Sequence, residues 1–224
     1  LMPESVISET FQKTRSGQLP AISRQRAACE LARRRLLDYS ILTHRAYTPW
    51  WHHRVIADTL EKVEQGLLDR VMFFLPPRHG KSELVSVRFP AWYLGRHPEN
   101  RIIGCSYNDA LALDFGGRAR DVAMSSIHKA VFSDDRARVK ADTSAKQQWD
   151  LKGEGGYIGA GVGGAITGRG GNILLIDDPI KNQEEAESLT YRERVWKWYQ
   201  STAYTRLEKG GAVIVILTRW HKDD

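Results

Sequence analysis

The segment Leu75-Pro76-Pro77-Arg78-His79-Gly80-Lys81-Ser82-Glu83 constrains this 224-residue chain more than any other. It follows RVMFFL (70–75), a short apolar run closed by Pro76-Pro77, which predicts a buried strand. It leads into SELVSVRFPAWYLG, which predicts a helix. Backbone N–H groups at a helix start, with the positive end of the helix dipole, make an anion site. Gly80 lets the chain pass close to phosphates, Lys81 adds charge for the β- and γ-phosphates, and Ser82 offers a hydroxyl to Mg²⁺. The common pattern G-x-x-x-x-G-K-[ST] opens on glycine, whereas this one opens on Leu75. A cationic helix start with no ligand would use the same tripeptide. Placement directly after a strand favours the phosphate loop.

A second segment supplies what such a loop needs. NILLIDD (172–178) predicts a buried strand ending in two acids. Asp177 is placed to hold Mg²⁺, through water in part, because magnesium keeps much of its hydration shell. Asp178 is placed to orient and deprotonate an attacking water. Asp178-Pro179 is also good turn chemistry, which is the competing reading. Upstream, Arg169 lies in the glycine-flanked stretch AITGRGGN and could stabilise charge on a transferred phosphoryl group. An ordinary exposed arginine fits that position equally well. The strand GAVIVILTRW (211–220) brings Thr218 to the same sheet edge, within reach of a γ-phosphate.

These strands alternate with helical patterns, which predicts an α/β fold with a mostly parallel central sheet flanked by helices. Ligands of such sheets sit at the carboxyl ends of the strands. Four apolar strands are expected, at 70–75, 101–107, 172–178 and 211–220. The glycine-rich stretch 141–172 suits a hairpin and loops. A capped helix is expected from Ser23, another from Thr48-Pro49 carrying Ile56, Leu60 and Val63 inward to a stop at Gly66, and one long helix through EEAESLTYRERVWKWYQSTAYTRL with Trp196 and Trp198 on one buried face. Residues 1–22 predict poor order. Two cysteines, Cys29 and Cys105, exclude a disulfide scaffold and suit small buried hydrophobes. No apolar run reaches the roughly 18 residues of a membrane helix, and the polar start gives no signal-peptide pattern.

Charge leaves the partner open. The net charge is +6, and residues 13–54 carry nine basic side chains against two acids. A solvated helix face and a phosphate-backbone or subunit contact account for this equally well. His52 and His53, beside Trp50 and Trp51, could face a nucleotide base, although ordinary helix packing explains any one of them.

The run PPRHGKSELVSVRFPAWYLG, then RIIGCSYND, GVGGAITGRG, LLIDDPIKN and LTRWHKDD, in that order, resembles the large terminase subunit of tailed double-stranded DNA bacteriophages. The likeness covers roughly residues 45–224, with 1–44 as an N-terminal helical extension. It implies a P-loop NTPase of the additional-strand class that uses ATP and Mg²⁺ to pump double-stranded DNA into a procapsid. It also implies a homo-oligomeric ring on a portal protein, a small terminase subunit as partner, and the cytoplasm of the infected bacterial host. By position, Pro77, Arg78, His79, Gly80, Lys81, Ser82 and Glu83 match the phosphate loop. Asp177 matches the magnesium carboxylate, Asp178 the catalytic glutamate, and Arg169 an arginine acting on its own or a neighbouring subunit. Thr218 falls in the coupling motif, and Trp51 and His52 in an adenine-contacting segment. Arg78 lies three residues before Lys81, where some members place an arginine four before, and Asp178 is one methylene shorter than glutamate. The family's nuclease domain would lie beyond residue 224, so this stretch is expected to have no nuclease activity. The residues themselves leave open another P-loop nucleic-acid motor such as a helicase, a non-catalytic nucleic-acid-binding module, and a kinase.

Overall fold

Apolar runs of β-branched residues build a single sheet in the computed structural model, which describes residues 21–223 apart from Ala165, Thr167 and Arg169. Its strands are β1 (Arg70–Phe74), β2 (Arg101–Ser106), β3 (Val139–Ser144), β4 (Gln148–Leu151), β5 (Gly156–Gly161), β6 (Gly171–Asp177) and β7 (Leu207–Leu217). They run in the order β1-β7-β6-β2-β5-β4-β3. The five from β1 to β5 in that order are parallel, and β4 and β3 extend the sheet antiparallel. β7 therefore lies between the loop-bearing strand and the carboxylate-bearing strand, which is the additional strand expected. Poor order was expected over residues 1–22; residues 1–20 lie outside the described residues, and residues 21 and 22 instead open the first helix.

The helices are α1 (Ala21–Arg34), α2 (Leu36–Thr43), α3 (Trp51–Glu64), α4 (Phe89–Arg96), α5 (Asp109–Met124), α6 (Ser126–Val131), α7 (Gln183–Glu187) and α8 (Leu189–Trp198). Neighbouring strand residues point to opposite faces, and the two faces carry separate cores. Ile102, Leu175, Ile214 and Ile216 pack with Leu84, Phe89 and Trp92. Ile103, Cys105, Leu174 and Ile176 pack with Trp198. Ala32, Leu36, Leu37 and Tyr39, from the expected N-terminal extension, join the first of these cores. No helix among the described residues is long and apolar enough to cross a membrane.

Several local expectations need correction. β1 is an edge strand, so Met72 and Phe74 are exposed rather than buried. The glycine-rich stretch holds three strands, not loops around one hairpin, because α5 crosses β5 closely. A β-carbon at Gly161 would lie 2.5 Å from the Asp109 nitrogen. The first helix starts at Ala21 rather than after a Ser23 cap, and breaks at Arg35, which is extended. The long C-terminal helix breaks at Ser188, whose hydroxyl caps α8 by accepting from the Tyr191 N–H at 3.3 Å. Trp198 is 6% exposed and Trp196 57%, because residues two apart on a helix face opposite ways. The helix after the loop 75–82 opens as a π-helical turn, Glu83–Arg88. Pro90 has no N–H to offer the carbonyl of Ser86, and the widened turn sits over that gap. The helix expected from a Thr48 cap begins instead at Trp51, with Trp50 at its cap; it buries Ile56, Leu60 and Val63 and stops before Gly66 at φ +73° as expected.

The basic surplus of residues 13–54 is partly used internally. Arg33 and Arg34 pair with Glu30, and Arg35 with Asp58 and Glu61. Lys13 and Arg15 lie outside the described residues.

Candidate functional site

Register places the chemistry in one row. Phe74 pairs with Leu217, Ile216 with Asp177, and Asp177 with Ser106. The residues that follow β1, β7 and β6 therefore emerge side by side at the carboxyl edge of the sheet. There Lys81, only 5% exposed, reaches Asp178 at 2.9 and 3.0 Å and also donates to the Thr218 hydroxyl. The Thr218 backbone N–H donates to Asp178 Oδ1 at 2.6 Å. Asp178 holds φ +45°, a left-handed conformation that aspartate tolerates better than most residues. That kink turns its carboxylate back over the end of β7. Lys81, Asp178 and Thr218, which are far apart in the chain, thus form one cluster.

Asp177 is 1% exposed. Burial pushes its pKa up to about 6, and the neighbouring Asp178 carboxylate adds to this. The hydroxyls of Ser86 and Ser82, and the Lys81 ammonium, oppose the rise. Ser86 donates to Oδ2 of Asp177, while Oδ1 is buried with no hydrogen bond of normal geometry among the described residues. Ser106 fixes the strand end by donating to the Asp177 carbonyl at 2.8 Å. An orphaned buried carboxylate oxygen beside a serine hydroxyl suits a hard divalent cation that brings its own waters. Among the described residues no three His, Cys, Asp or Glu side chains converge on a metal position. A cation here would rest on Asp177, Ser82, water and substrate oxygens.

The loop itself is held from outside by α3. His53 accepts from the Trp50 N–H on Nδ1 at 2.9 Å, so its Nε2 carries the proton and donates to the His79 carbonyl at 3.0 Å. Burial, with His52 and His79 nearby, lowers the His53 pKa and keeps this neutral form. His52 Nε2 lies 3.1 Å from the same carbonyl. Gly80, at φ +72°, passes so near that a β-carbon would stand 2.6 Å from His53 Nε2. Gly80→Ala therefore meets both a left-handed backbone penalty and a clash. It is expected to cost about 1–2 kcal/mol in urea unfolding and to weaken nucleotide binding in the same preparation.

Two cavities adjoin across this loop. One, about 640 Å³, is lined by Tyr47, Trp50, Trp51, His52, Arg78 and His79 among others. The other, about 330 Å³, is lined by residues 77–78 and 80–83 together with Asp178, Lys181 and Thr218. The first has room for a base and sugar, the second for a phosphate chain. Trp51 and His52 thus stand on the wall of the larger cavity, with Trp51 74% exposed. Pro77, Arg78, Gly80, Lys81, Ser82, Glu83 and Thr218 line the smaller. Glu83 also commits its carboxylate to Arg88 and Arg118, so it braces the helix start. Arg169 lies outside the described residues. Sequence reasoning passed over Ser86, Ser106 and Lys181. Ser86 carried a usable signal, since it follows Ser82 by four residues on one helix face.

The family model for the terminase large subunit, T4likevirus-type, N-terminal, matches residues 72–224. Among solved structures, the crystal structure of the HK97 bacteriophage large terminase is similar at a TM-score of 0.46 and 12% identity, over 77% of this chain and 34% of that one. The chain thus spans about a third of the length of that protein. No curated protein matches it.

Proposed function

Because the chain belongs to the family of terminase large subunits of the T4-like-virus type, within their N-terminal part, we propose that it is the ATPase motor domain of a viral DNA-packaging terminase. The observation that carries this reading is the convergence of Lys81, Asp177, Asp178 and Thr218 at the carboxyl ends of adjacent parallel strands. The loop N–H groups around Gly80 and the Lys81 ammonium receive the phosphates. Ser82 and Asp177 would hold Mg²⁺, which would supply positive charge to the phosphates. When Lys81 turns to the phosphates, Asp178 loses its cation and becomes free to orient a water in line with the γ-phosphorus. Thr218 touches both Lys81 and Asp178, so it registers which partner each has taken and passes that to the end of β7. Trp51 and His52 border the base. Arg169, from this or an adjacent subunit, neutralises the transferring phosphoryl group.

On this reading the motor works as a homo-oligomeric ring on the portal, with a small terminase subunit and double-stranded DNA as partners, in the cytoplasm of the infected bacterial host. The test is phosphate release from ATP. Release should require Mg²⁺ and rise on adding double-stranded DNA. Absence of release under all these conditions would overturn the assignment. Strand separation of a duplex would instead favour a helicase.

A further inference from the structure

We propose that Lys181 is the cation that recognises the terminal phosphate and so separates nucleoside triphosphate from diphosphate. This rests on reading the two adjoining cavities as a nucleotide site. Three cations line the smaller cavity: Lys81, Arg78 and Lys181. Lys81 rests on Asp178 and Thr218 without ligand and, on the reading above, turns to the phosphate chain. Arg78 belongs to the loop and lines the larger cavity as well, so it stands toward the base side. Lys181 lines the smaller cavity and not the larger, three residues beyond Asp178, on the short connection between β6 and α7.

Its backbone is fixed while its head is free. The Lys181 N–H donates to Glu185 Oε2 at 3.0 Å, which ties the connection to α7. No described residue holds its ammonium in a hydrogen bond or ion pair. A terminal phosphate placed between the loop and the ends of β6 and β7 faces Asp178, whose negative charge opposes it. Lys181 lines the same cavity three residues along the chain from Asp178, and a lysine offers a mobile point charge on a flexible stem. The diphosphate, ending one phosphate short, would gain little from it.

Calorimetric titration of the whole chain with a non-hydrolysable ATP analogue and, separately, with ADP, both with Mg²⁺, tests this. Lys181→Ala should weaken the analogue about tenfold or more, the loss of one charge-assisted hydrogen bond, and leave ADP unchanged. Lys181→Arg should restore the analogue. Equal weakening of both ligands, or of neither, would overturn the role of Lys181 while wild-type binding keeps the site itself standing. Wild-type protein that binds neither ligand would remove the nucleotide reading, and this inference with it. Lys181 is exposed, so a matching thermal unfolding curve separates lost contact from lost fold.

Discussion

Lys81→Ala is expected to reduce ATP turnover at least about 10³-fold, the scale of losing a preorganised charge aimed at the transition state. The ammonium sits almost out of solvent, gripped by Asp178 and Thr218. Alanine removes the charge that would meet the phosphates and leaves the Asp178 carboxylate with the Thr218 N–H but no cation. Lys81→Arg should fail almost as badly. A planar guanidinium cannot take the place of a compact ammonium lodged between a carboxylate and a hydroxyl. Phosphate release at saturating ATP measures the loss, and circular dichroism confirms that the fold persists. Near-normal turnover in the alanine variant would dismiss the phosphate-loop assignment.

The second large effect has opposite signs for stability and activity. Asp177→Asn should stabilise the ligand-free protein at neutral pH while removing Mg²⁺-dependent hydrolysis. The folded-state pKa of Asp177 is raised from the usual 3.8 to about 6, chiefly by burial. The folded state therefore holds this proton more tightly than the unfolded state. The group costs nothing below the unfolded pKa. The cost grows as pH rises between the two values and is complete above about 6. The full cost is on the order of 3 kcal/mol. Asparagine has no charge to desolvate, fills the same space, and still accepts from Ser86. Urea midpoints at about pH 4 and about pH 7 should fall with pH for the wild type and much less for the variant. Mg²⁺ should recover stability at the higher pH in the wild type only, since it compensates the buried charge. A variant less stable than wild type at neutral pH would show that this carboxylate is not held at a cost.

Gly80, Lys81, Asp177 and Asp178 were legible in the chain because strand ends and loop chemistry leave local signals. So was the parallel core, since β2, β6 and most of β7 are continuous apolar runs. The exposure of Met72 and Phe74 was not legible. An edge strand and a central strand can carry the same residues, and only neighbouring elements tell them apart. Strands β3 to β5 were hidden for a similar reason. Gly159 and Gly161 answer to the close approach of α5, and Gly153 and Gly155 to that of Pro98 and Asn100 at the β4–β5 turn. The hold of His53 on the His79 carbonyl depends on how α3 docks, which no periodicity encodes.

The order of short motifs along the chain was enough to pick out the candidate site residues, because charge, hydroxyl and backbone freedom are local properties. The tertiary structure alone decided the partners those residues have without a ligand. Lys81 rests on Asp178 and Thr218, Asp177 lies buried with one oxygen unmatched among the described residues, and Lys181 lines the cavity with no described partner for its ammonium. Such pairings depend on strand order and register, which bring residues nearly a hundred positions apart within hydrogen-bonding distance. Burial then turns that proximity into shifted acidity, because a charge removed from water must find its compensation among its neighbours.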